Sequence, residues 1–105
     1  MWMFTFVESR LFTRIVADYL SDDEYCELQV KLVADPELGA VIPGSGGVRK
    51  LRWGQPGRGK RGGVRIIYYV KRQDGVIWML TIYAKNEVQT IAADVLQRIK
   101  REVDG

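Results

Sequence analysis

The side chains best suited to chemistry in this sequence are basic residues and tyrosines on strand-like runs. Lys50 and Arg52 alternate in one run, and Arg65 stands within an apolar run. Tyr83 and Lys85 end a third run. A guanidinium holds two phosphate oxygens at once, whereas lysine and tyrosine exchange protons. These five residues carry groups that can hold a phosphate and move protons beside it.

Metal-independent cleavage of RNA requires a base for the 2′-hydroxyl, stabilisation of negative charge on the phosphorane, and a proton for the leaving 5′-oxygen. Arg65, joined by Arg52 or Arg61, suits the second task, because arginine remains charged and is a poor base. Arg65 also lies within an otherwise apolar strand, where an arginine usually has a functional role or a partner for its charge.

Proton transfer is expected from the lysines and a tyrosine. A lysine acts as a base only if neighbouring positive charge lowers its pKa from about 10.4 toward neutrality. We expect Lys50 or Lys85 to be the base, and Tyr83 or another lysine to be the acid. The residue types leave the assignment open.

The positive charge is concentrated in the middle of the chain. The total is +3, from 16 basic and 13 acidic residues. Residues 1–37 have a net charge of −5 and residues 74–105 a net charge of −1, whereas residues 38–73 contain nine basic and no acidic residues. Such a block focuses a positive potential and attracts a polyanion in a salt-dependent manner.

A second group of residues is expected to contact a nucleic acid such as RNA. The Gly57–Gly63 loop carries basic side chains for phosphates, and it lacks the Gly-Lys-Ser/Thr ending of a nucleotide-binding P-loop. Two aromatic residues offer faces for a splayed base, and a helix beginning at Asn86 offers backbone amides. These binding candidates are Arg49, Trp53, Arg58, Lys60, Arg61, Tyr69 and Asn86.

Ordinary roles compete with these interpretations. Strand aromatics are at least as often packing residues, and a basic run alone more often forms a solvated or simple nucleic-acid-binding surface than a catalytic centre. Asp22, Asp23 and Glu24 are typical of the first turn of a helix and are not interpreted as metal ligands. With no histidine and the single Cys26, we expect no metal and no cofactor.

The periodicity predicts the elements that position these residues. We expect strands at 3–7, 48–53, 64–70 and 76–83, and helices after Ser9, after Ser21 and from Asn86. Ser21 and Glu24 fit a capping box, Asp35-Pro36 ends the second helix, and Leu38–Gly47 is predicted to be a loop.

The predicted fold class is therefore α+β, with the order β-α-α-β-β-β-α in one domain, residues 1–105. A mostly antiparallel four-stranded sheet has helices packed on one face, which leaves the other face for a ligand. The N-terminus lacks the pattern of a signal peptide and no apolar run has the length of a membrane span, so we expect a cytoplasmic protein without a membrane partner.

Three segments resemble the RelE/ParE superfamily of bacterial type II toxins, most closely its HigB branch. They are Gly46-Gly-Val-Arg-Lys-Leu-Arg52, Gly57-Arg-Gly-Lys-Arg-Gly-Gly-Val-Arg-Ile-Ile-Tyr-Tyr69 and Leu80-Thr-Ile-Tyr-Ala-Lys-Asn-Glu87. The resemblance extends over essentially the whole chain and implies a RelE-like fold. It also implies that the catalytic positions of the family fall on Lys50, Arg52, Arg65, Tyr83 and Lys85. Better-known members carry a second arginine at the place of Asn86, and the tyrosine of their last helix falls near Ala92.

The resemblance implies an mRNA interferase, an RNA endonuclease that enters the 70S ribosome and cuts translated mRNA in the A site. It also implies a cognate antitoxin, expected to be a helix-turn-helix, HigA-like protein, with operator DNA bound only through the antitoxin complex. Two alternatives remain open. One is a ParE-like poison of DNA gyrase on the same fold, and the other is an RNA-binding module without enzymatic activity.

Overall fold

The protein folds into a mixed α+β structure with one five-stranded sheet. The computed structural model describes residues 4–54, 63–85, 87, 97 and 101. The strands are β1 (Thr5–Glu8), β2 (Ala40–Val41), β3 (Arg49–Trp53), β4 (Val64–Lys71) and β5 (Val76–Ala84). The helices are α1 (Arg10–Ile15) and α2 (Asp22–Ala34), with 3-10 turns at Val16–Asp18 and Arg72–Asp74.

The sheet has the order β1-β5-β4-β3-β2. The strands β2 to β5 pair antiparallel, whereas β1 pairs parallel with β5, from Thr5 opposite Val76 to Glu8 opposite Met79. The predicted α+β class is confirmed, but the expected number of strands was wrong. The strand Ala40–Val41 lies within the predicted loop Leu38–Gly47, because a strand of two residues shows no alternation of apolar and polar side chains.

The helices begin where the capping residues predict. The Ser9 hydroxyl accepts a hydrogen bond from the Phe12 amide at 3.0 Å and donates to the Leu80 carbonyl at 2.7 Å, so this cap also fastens α1 to β5. The capping box of Ser21 and Glu24 is confirmed, and α2 ends just before Asp35-Pro36. In the described part of the chain, no helix is both long enough and apolar enough to cross a bilayer.

The last predicted helix, from Asn86, lies almost entirely outside the described residues. Gln97 and Arg101 are described, and both are helical. The side-chain amide of Gln97 donates to the Gly44 carbonyl, which places Gln97 beside the turn that precedes β3.

Two apolar clusters lie on opposite faces of the sheet. Both helices contribute to the larger cluster, where Phe12, Leu28 and Leu32 are fully buried against strand residues such as Ile66 and Ile77. A smaller cluster on the opposite face contains Val48, Ile67, Leu80 and Tyr83. The described helices therefore cover one face, and the other face carries the side chains with candidate chemistry.

Tyr68 fixes the segment before β2 to the centre of the sheet. Its buried hydroxyl donates to the Pro36 carbonyl and accepts from the Gly39 amide, both at 2.8 Å. A Cβ at Gly39 would lie 2.9 Å from both the Lys50 carbonyl oxygen and the Tyr68 ring, so this close approach requires glycine. One phenol thus satisfies two buried backbone groups.

Replacing Tyr68 with phenylalanine should lower the free energy of unfolding by about 1–3 kcal/mol, because Pro36 and Gly39 would then have buried polar groups without partners. Urea denaturation followed by circular dichroism measures the change. A loss below about 0.5 kcal/mol would show that the two backbone groups find other partners at little cost.

Candidate nucleic-acid interface

Three candidate residues form a row across neighbouring strands. In the antiparallel register, Arg52 of β3 lies opposite Arg65 of β4, and Arg65 lies opposite Tyr83 of β5. Directly opposed residues have Cβ atoms about 4.5–5.5 Å apart and project from the same face of a sheet. The three side chains are therefore brought together on the face opposite α1 and α2.

The two candidate lysines lie on either side of this row, each two residues away along the chain from one of its members. Lys50 is exposed and precedes Arg52 by two residues, so the two share one face of β3 at a separation of about 7 Å along the strand. Lys85 is also exposed, and its amide donates to the Gly63 carbonyl at 3.2 Å, just before β4. This bond places Lys85 near the start of the strand that carries Arg65.

The positive charges of this cluster are not neutralised within the described chain. Two ion pairs among the described residues, Lys71–Asp74 and Arg72–Glu37, lie at the far end of β4. None of the described carboxylates forms an ion pair with Arg52 or Arg65. Two guanidinium groups on adjacent strands without a carboxylate form a site that favours an anion.

Tyr83 lies at the junction of these cations and the smaller apolar cluster. Burial raises the pKa of the Tyr83 phenol, and the nearby Arg65 guanidinium opposes that rise. The phenol therefore remains protonated near neutral pH, which suits a proton donor and excludes a resident base at this position.

Arg49 and Trp53 lie on the opposite face of β3. The Arg49 guanidinium donates to the Gly39 carbonyl at 2.7 Å, and Trp53 packs against the larger apolar cluster under the helices. The period of two residues in a strand assigns both residues to the face of Leu51, away from Lys50 and Arg52. The structure therefore does not bring Arg49 and Trp53 together with Lys50 and Arg52.

Tyr69 shares the face of Arg65 but lies four residues away, about 13 Å along β4. It lines a groove of about 500 Å³ together with Arg49, another binding candidate, and with Lys71 and Arg72. The structure thus places Tyr69 at the other end of the sheet from the arginine row.

The remaining binding candidates lie outside the described residues; they are Arg58, Lys60, Arg61 and Asn86. Their expected contacts with RNA remain predictions from sequence.

Two further residues contact each other beside the end of β5. Tyr19, at the end of the 3-10 turn after α1, donates to the Glu87 carboxylate at 2.7 Å across 68 residues of sequence. Tyr19 belongs to the apolar stripe of its helical segment, so no local pattern indicates this contact.

The electrostatic coupling within the row is open to direct measurement. Replacing Arg65 with alanine should raise the pKa of Tyr83 further, because the guanidinium that favours the phenolate is removed. Replacing Arg52, one strand farther away, is the matched control and should leave this pKa nearly unchanged. NMR titration of isotope-labelled tyrosine follows each ring separately, and an unchanged or lower pKa in the Arg65→Ala variant would contradict the coupling.

Comparisons with known proteins bear on the fold. No family model matches the chain. Among solved structures, the chain is similar to the E. coli toxin RelE, determined in the free state as a mutant with two arginines changed to alanine. The TM-score is 0.59 at 16% sequence identity, over 96% of this chain and 98% of that chain. At this identity the similarity shows the fold, and this chain has the RelE-like fold.

Proposed function

We propose that this protein is a ribosome-dependent mRNA endonuclease and the toxin of a type II toxin–antitoxin system, of the HigB branch. The observation that carries the proposal is the row Arg52–Arg65–Tyr83, which has a lysine two residues away on either side. The RelE-like fold supports it, since the similar structure is that of a protein described as a toxin.

The arginine pair is the proposed phosphate clamp. Two guanidinium groups on adjacent strands can each donate to the non-bridging oxygens of one phosphate. Their donors stabilise the phosphorane best when they are held in place before the reaction, and a paired strand provides that rigidity. The remaining positive charge of residues 38–73 accounts for general attraction to RNA.

The proposed reaction transfers two protons. A lysine amine, of Lys50 or Lys85, removes the proton of the 2′-hydroxyl, and the 2′-oxygen attacks the adjacent phosphorus. The bond from phosphorus to the 5′-oxygen breaks, and the Tyr83 phenol protonates the leaving oxygen. The products are a 2′,3′-cyclic phosphate and a free 5′-hydroxyl.

Replacing Arg65 with alanine should reduce mRNA cleavage about 10²–10³-fold, because one preorganised donor to the phosphorane is lost. Primer extension on mRNA from expressing cells measures the cleaved ends, and circular dichroism verifies the fold. The matched control is Arg72→Ala, which removes an exposed arginine at the far end of β4.

Three outcomes would contradict the proposal. Full cleavage by the Arg65→Ala variant would remove that residue from the reaction. Growth inhibition with DNA damage and no discrete RNA ends would favour a gyrase poison. Salt-dependent RNA binding without cleavage or toxicity would favour a binding module.

The proposed partner is a small helix-turn-helix antitoxin of the HigA type, which neutralises the toxin and brings operator DNA to the complex. An acidic or amphipathic segment of such a protein complements the basic face. Co-expression with the product of the adjacent open reading frame should restore growth and yield a complex by affinity purification. The absence of a complex, together with unrelieved toxicity, would contradict this partner.

A further inference from the structure

The chain segment after β5 is tied to the helical layer by a bond outside the arginine row. The Tyr19 hydroxyl donates to Glu87 Oε1 at 2.7 Å, and the Ala84 amide donates to the same oxygen at 2.7 Å. The Glu87 amide also donates to the Ala84 carbonyl at 3.0 Å. One carboxylate therefore closes the turn from Ala84 to Glu87 and fastens it to Tyr19.

This turn carries a proposed catalytic lysine. Lys85 lies between the two ends of the turn, and its own amide is bonded to the Gly63 carbonyl. Tyr83 immediately precedes the turn. The Lys85 side chain is exposed and starts from this short stretch of backbone, so the placement of the backbone determines which positions near Arg65 its amine can reach.

We propose that Tyr19 and Glu87 form a latch that positions Lys85 beside the arginine row. Tyr19 is then a positioning residue that acts through Glu87 and touches no substrate. This inference rests on the proposed function for its effect on cleavage, whereas the latch itself is a structural claim that can be tested without RNA.

The charge state of the latch is suited to this role. The hydrogen bonds from Tyr19 and the Ala84 amide lower the pKa of Glu87, so the carboxylate is ionised at neutral pH. The same contact raises the pKa of Tyr19 to about 12, so the phenol keeps its proton. A phenol donating to a carboxylate is a charge-assisted bond and is stronger than a neutral one.

The chain offers a matched control for this contact. Tyr25 of α2 donates to the Glu8 carboxylate of β1, also at 2.7 Å. Glu8 lies opposite Met79, four residues before Tyr83 on β5. Tyr25→Phe therefore removes a tyrosine–glutamate bond between the helical layer and the sheet without touching the turn that carries Lys85.

The first measurement is hydrogen exchange of the Ala84 and Lys85 amides. Tyr19→Phe should speed their exchange at least several-fold, and Tyr25→Phe should leave both rates unchanged. Unchanged rates in Tyr19→Phe would overturn the latch, whether or not the protein cleaves RNA.

The second measurement is ribosome-dependent mRNA cleavage. Tyr19→Phe should lower kcat about tenfold with little change in KM, because a misplaced reactive group slows the chemical step more than binding. Tyr25→Phe should retain wild-type kcat. Glu87→Gln keeps an oxygen acceptor for both donors and should retain most of the activity, whereas Glu87→Ala should lose at least as much as Tyr19→Phe.

The outcomes separate the two proposals. If the unmodified protein does not cleave mRNA, the proposed function fails while the exchange measurement still decides the latch. If Tyr19→Phe loosens the turn but leaves kcat unchanged, or if Tyr25→Phe lowers kcat equally, the positioning role is overturned.

Discussion

The pairing register of β3, β4 and β5 is the constraint on which the candidate site depends. It places Arg52 opposite Arg65 and Arg65 opposite Tyr83. A shift of one strand by a single residue would turn Arg65 into the apolar cluster under the helices and turn Ile66 out to the opposite face. Burial of the apolar core therefore fixes the register, and the same register aligns the side chains of the candidate site.

The free energy of burying the apolar residues is larger than the repulsion between the opposed arginines. Like charges directly opposed across a sheet cost on the order of 0.2–1 kcal/mol. In the same register, Leu51, Ile66 and Ile82 align on the other face and are almost fully buried. Burial of each such side chain contributes about 1.5–3 kcal/mol, so the apolar row exceeds the repulsion between the arginines several times over.

Much of this arrangement is predictable from the sequence, because it follows from local patterns. Alternation places Lys50 and Arg52 on one face of a strand, and Ser21 with Glu24 marks the start of α2. The same alternation assigns Arg49 to the face of Leu51, although its positive charge alone suggests a binding role. In the structure its guanidinium instead supports the Gly39 carbonyl, on the side of the buried Tyr68.

The features that sequence reasoning missed depend on contacts between distant segments. Ala40–Val41 is too short for a periodic signal and becomes a strand only because β3 offers an edge. The sequence predicts that β1 joins the sheet but does not identify its parallel partner β5, which follows about 70 residues later. The contact of Tyr19 with Glu87 also joins distant segments, and the sequence around either residue does not indicate the other.

The surroundings of the arginine row explain how a stable sheet can carry it. Val48, Ile67, Leu80 and Tyr83 form a buried cluster beside the cations, and Lys50 lies opposite Ile67. Apolar neighbours exclude water on one side, which strengthens both the repulsion between the guanidinium groups and their attraction to a phosphate. A bound phosphate would reduce the repulsion between the guanidinium groups and would be held by their attraction. An anionic ligand would therefore stabilise the arginine row, whose repulsion is unfavourable in the free protein, and the apolar core on the far face holds the row in place.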